Sequence, residues 1–201
     1  RGYLGTIQIS ARDGVMKRPR KTPACFARII EYDPETGALF WKTRSPESFT
    51  CKDVERKRVA SRWNKNRAGK QAGIVNPRGY RVICVEARTY SAHRIAFALM
   101  TGGWPDSQVD HINHQKDDNR WVNLRAATPA ENARNRPIPD DNTSGAIGVH
   151  FHNPSGKYHA RITDHGKRIH LGAFTSVAEA AAARSTANLA YNYHPNHGAS
   201  Q

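Results

Sequence analysis

Three short stretches beyond Ile138, roughly 147 to 152, 157 to 163 and 167 to 173, alternate apolar with polar residues and restrict the fold more than any other feature of the chain. Successive side chains of a strand point to opposite faces, so such alternation marks a sheet with one apolar side. Tyr158, Ala160 and Ile162 share one face and His159, Arg161 and Thr163 the other. Ile169 and Leu171 oppose Arg168 and His170, and Val149 and Phe151 oppose His150 and His152. The connections Asn153-Pro154-Ser155-Gly156 and Asp164-His165-Gly166 are turn chemistry. Ser176-Val177-Ala178-Glu179 then caps an alanine-rich helix that runs to about Tyr191. Residues 144–198 are therefore expected to form a three-stranded antiparallel sheet whose apolar face is covered by one helix.

Upstream the pattern is mixed. Residues 1–22 read as a basic flexible arm and residues 23–75 as a β-rich region with a basic loop. Within the latter, the apolar run Phe26 to Ile30 is followed by the turn Asp33-Pro34-Glu35-Thr36-Gly37 and a strand at Leu39-Phe40-Trp41. Residues 43–70 are polar and rich in Lys and Arg, which predicts a long loop that meets DNA or stays mobile. In the next unit, residues 76–137, Asn76-Pro77-Arg78-Gly79 joins strands at Ile74-Val75 and Tyr80 to Val85. Ser91 opens a helix with Ile95, Phe97, Ala98 and Leu99 inward and Gly102-Gly103 as its stop. Thr128-Pro129-Ala130-Glu131 combines a Thr cap, Pro at the first helical position and a capping-box Glu. Residues 138–143 read as a linker. The fold class is α+β.

Composition bounds the partners. Lys plus Arg number 31 against 17 Asp plus Glu, a formal charge of +14 spread along the chain. A polyanion is the natural partner, because each neutralised phosphate releases condensed counterions. No apolar run approaches the ~20 residues of a membrane span, and no basic amphipathic helix suggests a membrane surface. Cys25, Cys51 and Cys84 are odd in number and widely spaced, which supports neither a zinc ribbon nor a disulfide framework. With no secretory pattern in residues 1–20, a cytoplasmic location is expected.

The chemistry concentrates in Val109-Asp110-His111-Ile112-Asn113, continues through Asp118-Asn119-Arg120-Trp121-Val122-Asn123-Leu124-Arg125 and ends at Glu131-Asn132. Hydrolysis of a phosphodiester needs a deprotonated water in line with the leaving oxygen and a neutralised phosphoryl charge. A neutral His is a suitable base near pH 7, and carboxylate and amide oxygens suit a hard cation. Asp110 and His111, adjacent on a strand, would face opposite sides. Asn132 falls in the first turn of the helix capped by Thr128, where backbone donors favour an incoming phosphate. Asn119 reads as a turn residue and His114 as a solvent-facing loop residue. His93 fits a phosphate contact or a structural role equally.

This segment, together with Gly79-Tyr80-Arg81, His93-Arg94 and Gly103-Trp104-Pro105, resembles the HNH homing-endonuclease family in its phage and intron branch, over about residues 28 to 136. The resemblance implies a ββα-metal nuclease core acting on double-stranded DNA and leaving 5′-phosphate and 3′-hydroxyl ends. His111 is then the general base, Asp110 and Asn132 hold one divalent cation, and Asn123 binds backbone and holds the loop that presents His111. Asn132 stands where the family name has a His, which favours Mg²⁺, with Mn²⁺ as the alternative. Residues 144–198 resemble the AP2 DNA-binding domain through Gly145, Gly148-Val149, Gly156 to Ile162, Gly166 to Gly172, Phe174 and Glu179-Ala180-Ala181. That resemblance implies that His150, His152, His159, Arg161, Arg168 and His170 face DNA. A monomer or a DNA-dependent dimer is expected. The competing readings are a non-catalytic DNA-binding or packaging factor with a degenerate site, and an RNA-associated basic protein.

Overall fold

The computed structural model describes residues 21–199. The arm read over residues 1–22 lies outside them except for Lys21 and Thr22. Lys21 is packed: it pairs with Glu86 at 2.8 Å, and its carbonyl accepts from Trp104 Nε1 at 2.8 Å.

The described chain is a mixed helix and strand protein built on small antiparallel sheets. A short helix α1 (Pro23–Ala27) leads into the hairpin β1 (Ile30–Tyr32) and β2 (Leu39–Trp41), which pair Ile30 with Trp41. Helix α2 (Asp53–Arg67) follows, then the sheet β3 (Ile74–Val75), β4 (Arg81–Val85) and β5 (Arg88–Ser91) in sequential order, then helix α3 (Ala92–Thr101). These elements share one core, in which Phe26 meets Tyr90 edge-on at 4.8 Å and Trp104 at 5.6 Å, beside Ile30, Leu39, Ile83 and Ile95. The predicted turn at 76–79 is present, with Val75 opposite Arg81. In α3 the buried positions are Ala92, His93, Ile95, Ala96 and Ala98, while Phe97 and Leu99 are only half-buried. The helix ends, as expected, on Gly102 in the left-handed conformation.

Residues 53–67 form a 15-residue helix where a loop was expected, so the N-terminal region is not chiefly β. The apolar signal is sparse: only Ala60 is fully buried. Arg56, Val59, Ala60, Trp63 and Asn64 nevertheless recur at helical spacing on the packed side. Trp63 meets Trp41 at 5.2 Å, and the Asn64 amide bonds both the N–H and the carbonyl of Arg44 at 2.9 and 3.0 Å. Acids in the first turn and bases in the last, Asp53 and Glu55 against Lys65 and Arg67, suit the helix dipole.

The central hairpin pairs β6 (Gln108–His111) with β7 (Leu124–Ala127), Asp110 standing opposite Arg125. A five-residue helix α4 (Pro129–Ala133) follows, its capping box complete between Thr128 and Glu131. The C-terminal part is a three-stranded sheet of β8 (Val149–His152), β9 (Lys157–Asp164) and β10 (Lys167–Phe174), with β9 in the middle, and helix α5 (Val177–Ala190) packs on it. Val149, Ala160 and Ile162 are buried as the alternation requires, whereas Phe151 on the outer strand stays 49% exposed beside Tyr158.

The C-terminal part is also sewn to the central one. Arg134 pairs with Asp164 at 2.8 Å, His194 N donates to Arg134 O at 3.2 Å, and Gly198 N donates to Arg136 O at 2.8 Å. No helix among the described residues is long and apolar enough to cross a membrane.

Candidate active site

The hairpin β6–β7 lies between α3 on one side and α4 on the other. Along β6, Val109 packs with Ala96 and Leu124, and His111 meets the His93 ring edge-on at 4.9 Å. Gln108 and Asp110 turn toward α4, where Gln108 Oε1 accepts from Asn132 Nδ2 and Asp110 Oδ2 from Asn135 Nδ2 at 2.9 Å. The end of the hairpin opens into a cavity of about 550 Å³ whose walls include Asp110, His111, His114, Asn132, Asn135 and Tyr80. Asp110, His111 and Asn132, 22 residues apart at the extremes, thus border one space. Lys116 and Arg136 line it too and make it cationic.

His111 is buried, and its surroundings settle which nitrogen holds the proton. Its Nε2 lies 3.2 Å from Asn119 Oδ1, while Asn119 Nδ2 donates to Asp117 O at 3.1 Å. Because the Asn119 oxygen is an acceptor, Nε2 is the donor, and the lone pair of the neutral ring sits on Nδ1. Burial pushes the His111 pKa below that of an exposed imidazole, opposed by Asn119 and by the carboxylates of Asp110, Asp118 and Asp117. The ring is neutral at neutral pH, as a base must be. His93 is more extreme: burial, then His111 and Arg94, bring it down to about 3.

Asn119, expected to be a turn residue, is 1% exposed and orients His111. Its carbonyl accepts from the Tyr32 hydroxyl at 2.7 Å, and Trp121 N donates to Pro34 O at 3.0 Å, so the N-terminal hairpin braces it. The fit is close at Gly37, whose φ is +74° and where a Cβ would stand 2.4 Å from Arg120 N. Asn123 holds the same loop from within. Its Oδ1 accepts from Asn113 N at 2.9 Å, its Nδ2 donates to Asp118 O at 2.8 Å, and its carbonyl accepts from Ile112 N at 2.9 Å. Arg81 adds two bonds to Asp117, each 3.0 Å.

His114 is buried, not solvent-facing. Its Nε2 donates to Asn135 Oδ1 at 2.9 Å, which in turn aims the Asn135 amide nitrogen at Asp110 and at His111 O, 3.1 Å away. Asn135 was not singled out in the sequence; its only signal is the three-residue spacing from Asn132. The backbone N–H of Asn132 bonds Thr128 O at 2.9 Å and is not available to a phosphate.

Asp110 Oδ2 accepts from Asn135, and from Arg125 through Nε at 3.1 Å and Nη2 at 2.8 Å. Oδ1 has no hydrogen-bond partner among the described residues. The same holds for the Asn132 amide oxygen, whose nitrogen is committed to Gln108. Two hard oxygen donors bordering one cavity suit a hard divalent cation with most of its shell left to water and phosphate. No group of three or more His, Cys, Asp or Glu among the described residues is placed to hold a metal ion, so a cage made of such residues is not part of this site.

The six residues assigned to the C-terminal sheet share its face away from α5. His159 is flanked by His152 at 4.5 Å, His170 at 5.1 Å and His150 at 5.7 Å, and Arg161 stands opposite His170 in the register. Ser155 Oγ lies 2.9 Å from His152 Nδ1 and 3.2 Å from His159 Nε2. His150 and His159 have lowered pKa values, from desolvation first, then from Arg161 and the neighbouring histidines at His150 and from the neighbouring histidines at His159.

Residues 90–134 match the family model of HNH endonucleases. The matched stretch holds His93, Asp110, His111, His114, Asn119, Asn123, Arg125 and Asn132 and leaves out Tyr80, Asn135 and the C-terminal sheet. It supports an HNH nuclease, a kind of enzyme that acts on DNA and generally uses a divalent metal. No curated protein and no solved structure matches the chain.

Proposed function

We propose that this protein is a metal-dependent endonuclease of the HNH homing type that hydrolyses phosphodiester bonds of double-stranded DNA, leaving 5′-phosphate and 3′-hydroxyl ends. The observation that carries this reading is the convergence of Asp110, His111 and Asn132 on one cationic cavity, with Asn119 Oδ1 3.2 Å from His111 Nε2. In this reading His111 Nδ1 takes the proton from the attacking water, and Asn119 stabilises the resulting imidazolium through Nε2. Asn123 keeps the loop in place, and Lys116 and Arg136 attract the phosphate. A Mg²⁺ or Mn²⁺ ion held by Asp110 and Asn132 would supply positive charge beside the scissile phosphate and the leaving 3′ oxygen.

Residues 144–198 act as an AP2-like module whose histidine and arginine face, His150, His152, His159, Arg161, Arg168 and His170, meets DNA. A phage-encoded protein working in the cytoplasm of a bacterial host, as a monomer or as a dimer on DNA, fits this division. Relaxation of supercoiled plasmid with and without Mg²⁺, followed by mapping of the cut ends, tests the proposal. Relaxation that requires Mg²⁺ and disappears in His111→Ala supports it.

One observation favours a second reading, a DNA-binding factor that does not cut: Arg125 already neutralises Asp110 across the hairpin. Binding of duplex DNA without cleavage in either Mg²⁺ or Mn²⁺ would decide for it.

A further inference from the structure

Helix α2 has the charge of a ligand site and no ligand within the chain. Its packed side is fixed by Trp63 and Asn64, so its orientation is set. On the opposite side Arg58, Arg62 and Lys65 recur at i, i+4 and i+7 and are all exposed. That spacing puts three cations on one stripe about 10 Å long, at ~1.5 Å rise per residue. None of the three has an ion pair or a hydrogen bond among the described residues. Like charges one turn apart repel and destabilise a helix, and the ion pair within α2, Arg56 with Asp53, lies at the other end. Ser61 and Asn66 flank the stripe with neutral polar groups. A helix ~10–12 Å across also matches the ~12 Å width of the major groove of duplex DNA.

We infer that the outer face of α2 is a second DNA-binding surface, in which Arg58, Arg62 and Lys65 each contact a phosphate of duplex DNA. The inference rests on the reading that DNA is the substrate but uses neither the cavity nor the histidine face. Because α2 shares a core with β4, β5 and α3 through Trp41, it holds the duplex rigidly with respect to the hairpin that carries His111.

The test is equilibrium binding of the full chain to duplex DNA in EDTA across a salt series. Arg58→Gln/Arg62→Gln/Lys65→Gln should lower the slope of log K against log salt by about 2.7, three contacts at ~0.9 each, and weaken binding on the order of a hundredfold at 0.1 M salt. Arg58→Lys/Arg62→Lys, which keeps the charge, should retain the slope. An unchanged slope in the Gln variant overturns the inference. So does a slope that falls for structured RNA but not for duplex DNA. Metal is absent throughout, so a chain that binds with the full slope yet never cuts sinks the nuclease reading alone.

Discussion

His93 offers the sharpest quantitative test of the buried polar layer behind the cleft. The ring is 8% exposed, lies 5.6 Å from Tyr80 and 4.9 Å from His111, and its Nδ1 is buried without a partner. Its pKa falls from 6.5 to about 3 in the folded chain. Between those values the unfolded chain binds a proton that the folded chain does not, so stability rises with pH across the window and is lost as pH falls. With ~1.36 kcal/mol per unit, His93 alone should remove about 2 kcal/mol between pH 7 and pH 5.

His93→Leu keeps a similar volume and replaces a nitrogen that bonds nothing, so its stability at pH 7 should lie within about 1 kcal/mol of the parent. The measurement is urea unfolding at pH 7, 6 and 5, followed by tryptophan fluorescence. The parent should lose about 2 kcal/mol more than the variant over that range. His197, also lowered to about 4 by burial and Arg184, titrates in both proteins and cancels in the difference. Parallel stability curves for the two proteins would refute the assignment of a neutral, buried His93.

Three further outcomes follow from the site. His111→Ala should reduce nicking by roughly 10²–10⁴-fold with duplex affinity unchanged, checked by plasmid relaxation beside gel-shift titration. Asn119→Leu should free the His111 ring and lower kcat on the order of 10²-fold at constant KM; equal kcat in variant and parent would show that Nε2 needs no partner. Asn196→Ala removes a bond of 2.8 Å to Ile112 O, next to His111. It should cost about 1 kcal/mol of stability and lower kcat while leaving the salt dependence of DNA binding intact.

The C-terminal sheet was legible because period-two alternation is a local signal, and the three strands and the capped helix fall where it placed them. The capping box at Thr128 was legible for the same reason. Helix α2 was not, since its packed stripe offers one valine, one alanine and one tryptophan amid charge, and its stability comes from Trp41 and Arg44, which are distant in sequence. Asp110, His111 and Asn132 could be named through the resemblance to the HNH endonucleases, and their residue types suit the chemistry that the resemblance implies. Their supports could not, because Asn119, His114 and Asn135 have the composition of turns and gain their roles only through tertiary hydrogen bonds. A buried histidine and an exposed one look alike in sequence. At position 114 the outcome was set by Asn135, 21 residues away.

Those supports predict that residues 76–137 do not act independently of the rest, contrary to what a linker at 138–143 would suggest. The loop between β6 and β7 has no apolar core of its own, and its polar groups must be satisfied by hydrogen bonds. Within the loop, Asn123 and Asp118 supply some of these. Arg81 and Asn135 supply others, and two more come from residues far along the chain: Tyr32 reaches Asn119 O across 87 residues, and Asn196 reaches Ile112 O across 84. The first fixes the group that orients His111, and the second fixes the residue after it. A buried carbonyl stripped of its partner costs about 1–3 kcal/mol, which applies to Asn119 O, while Ile112 O would keep only the longer bond from Asn135 at 3.4 Å. Removing either end should therefore loosen the loop that holds His111. A chain ending at residue 140 would also leave Arg134 without Asp164 and Arg136 O without Gly198 N. Its turnover should therefore fall along with its affinity for DNA. A truncated chain that keeps full kcat at saturating DNA would show that the loop holds its shape without the C-terminal tail.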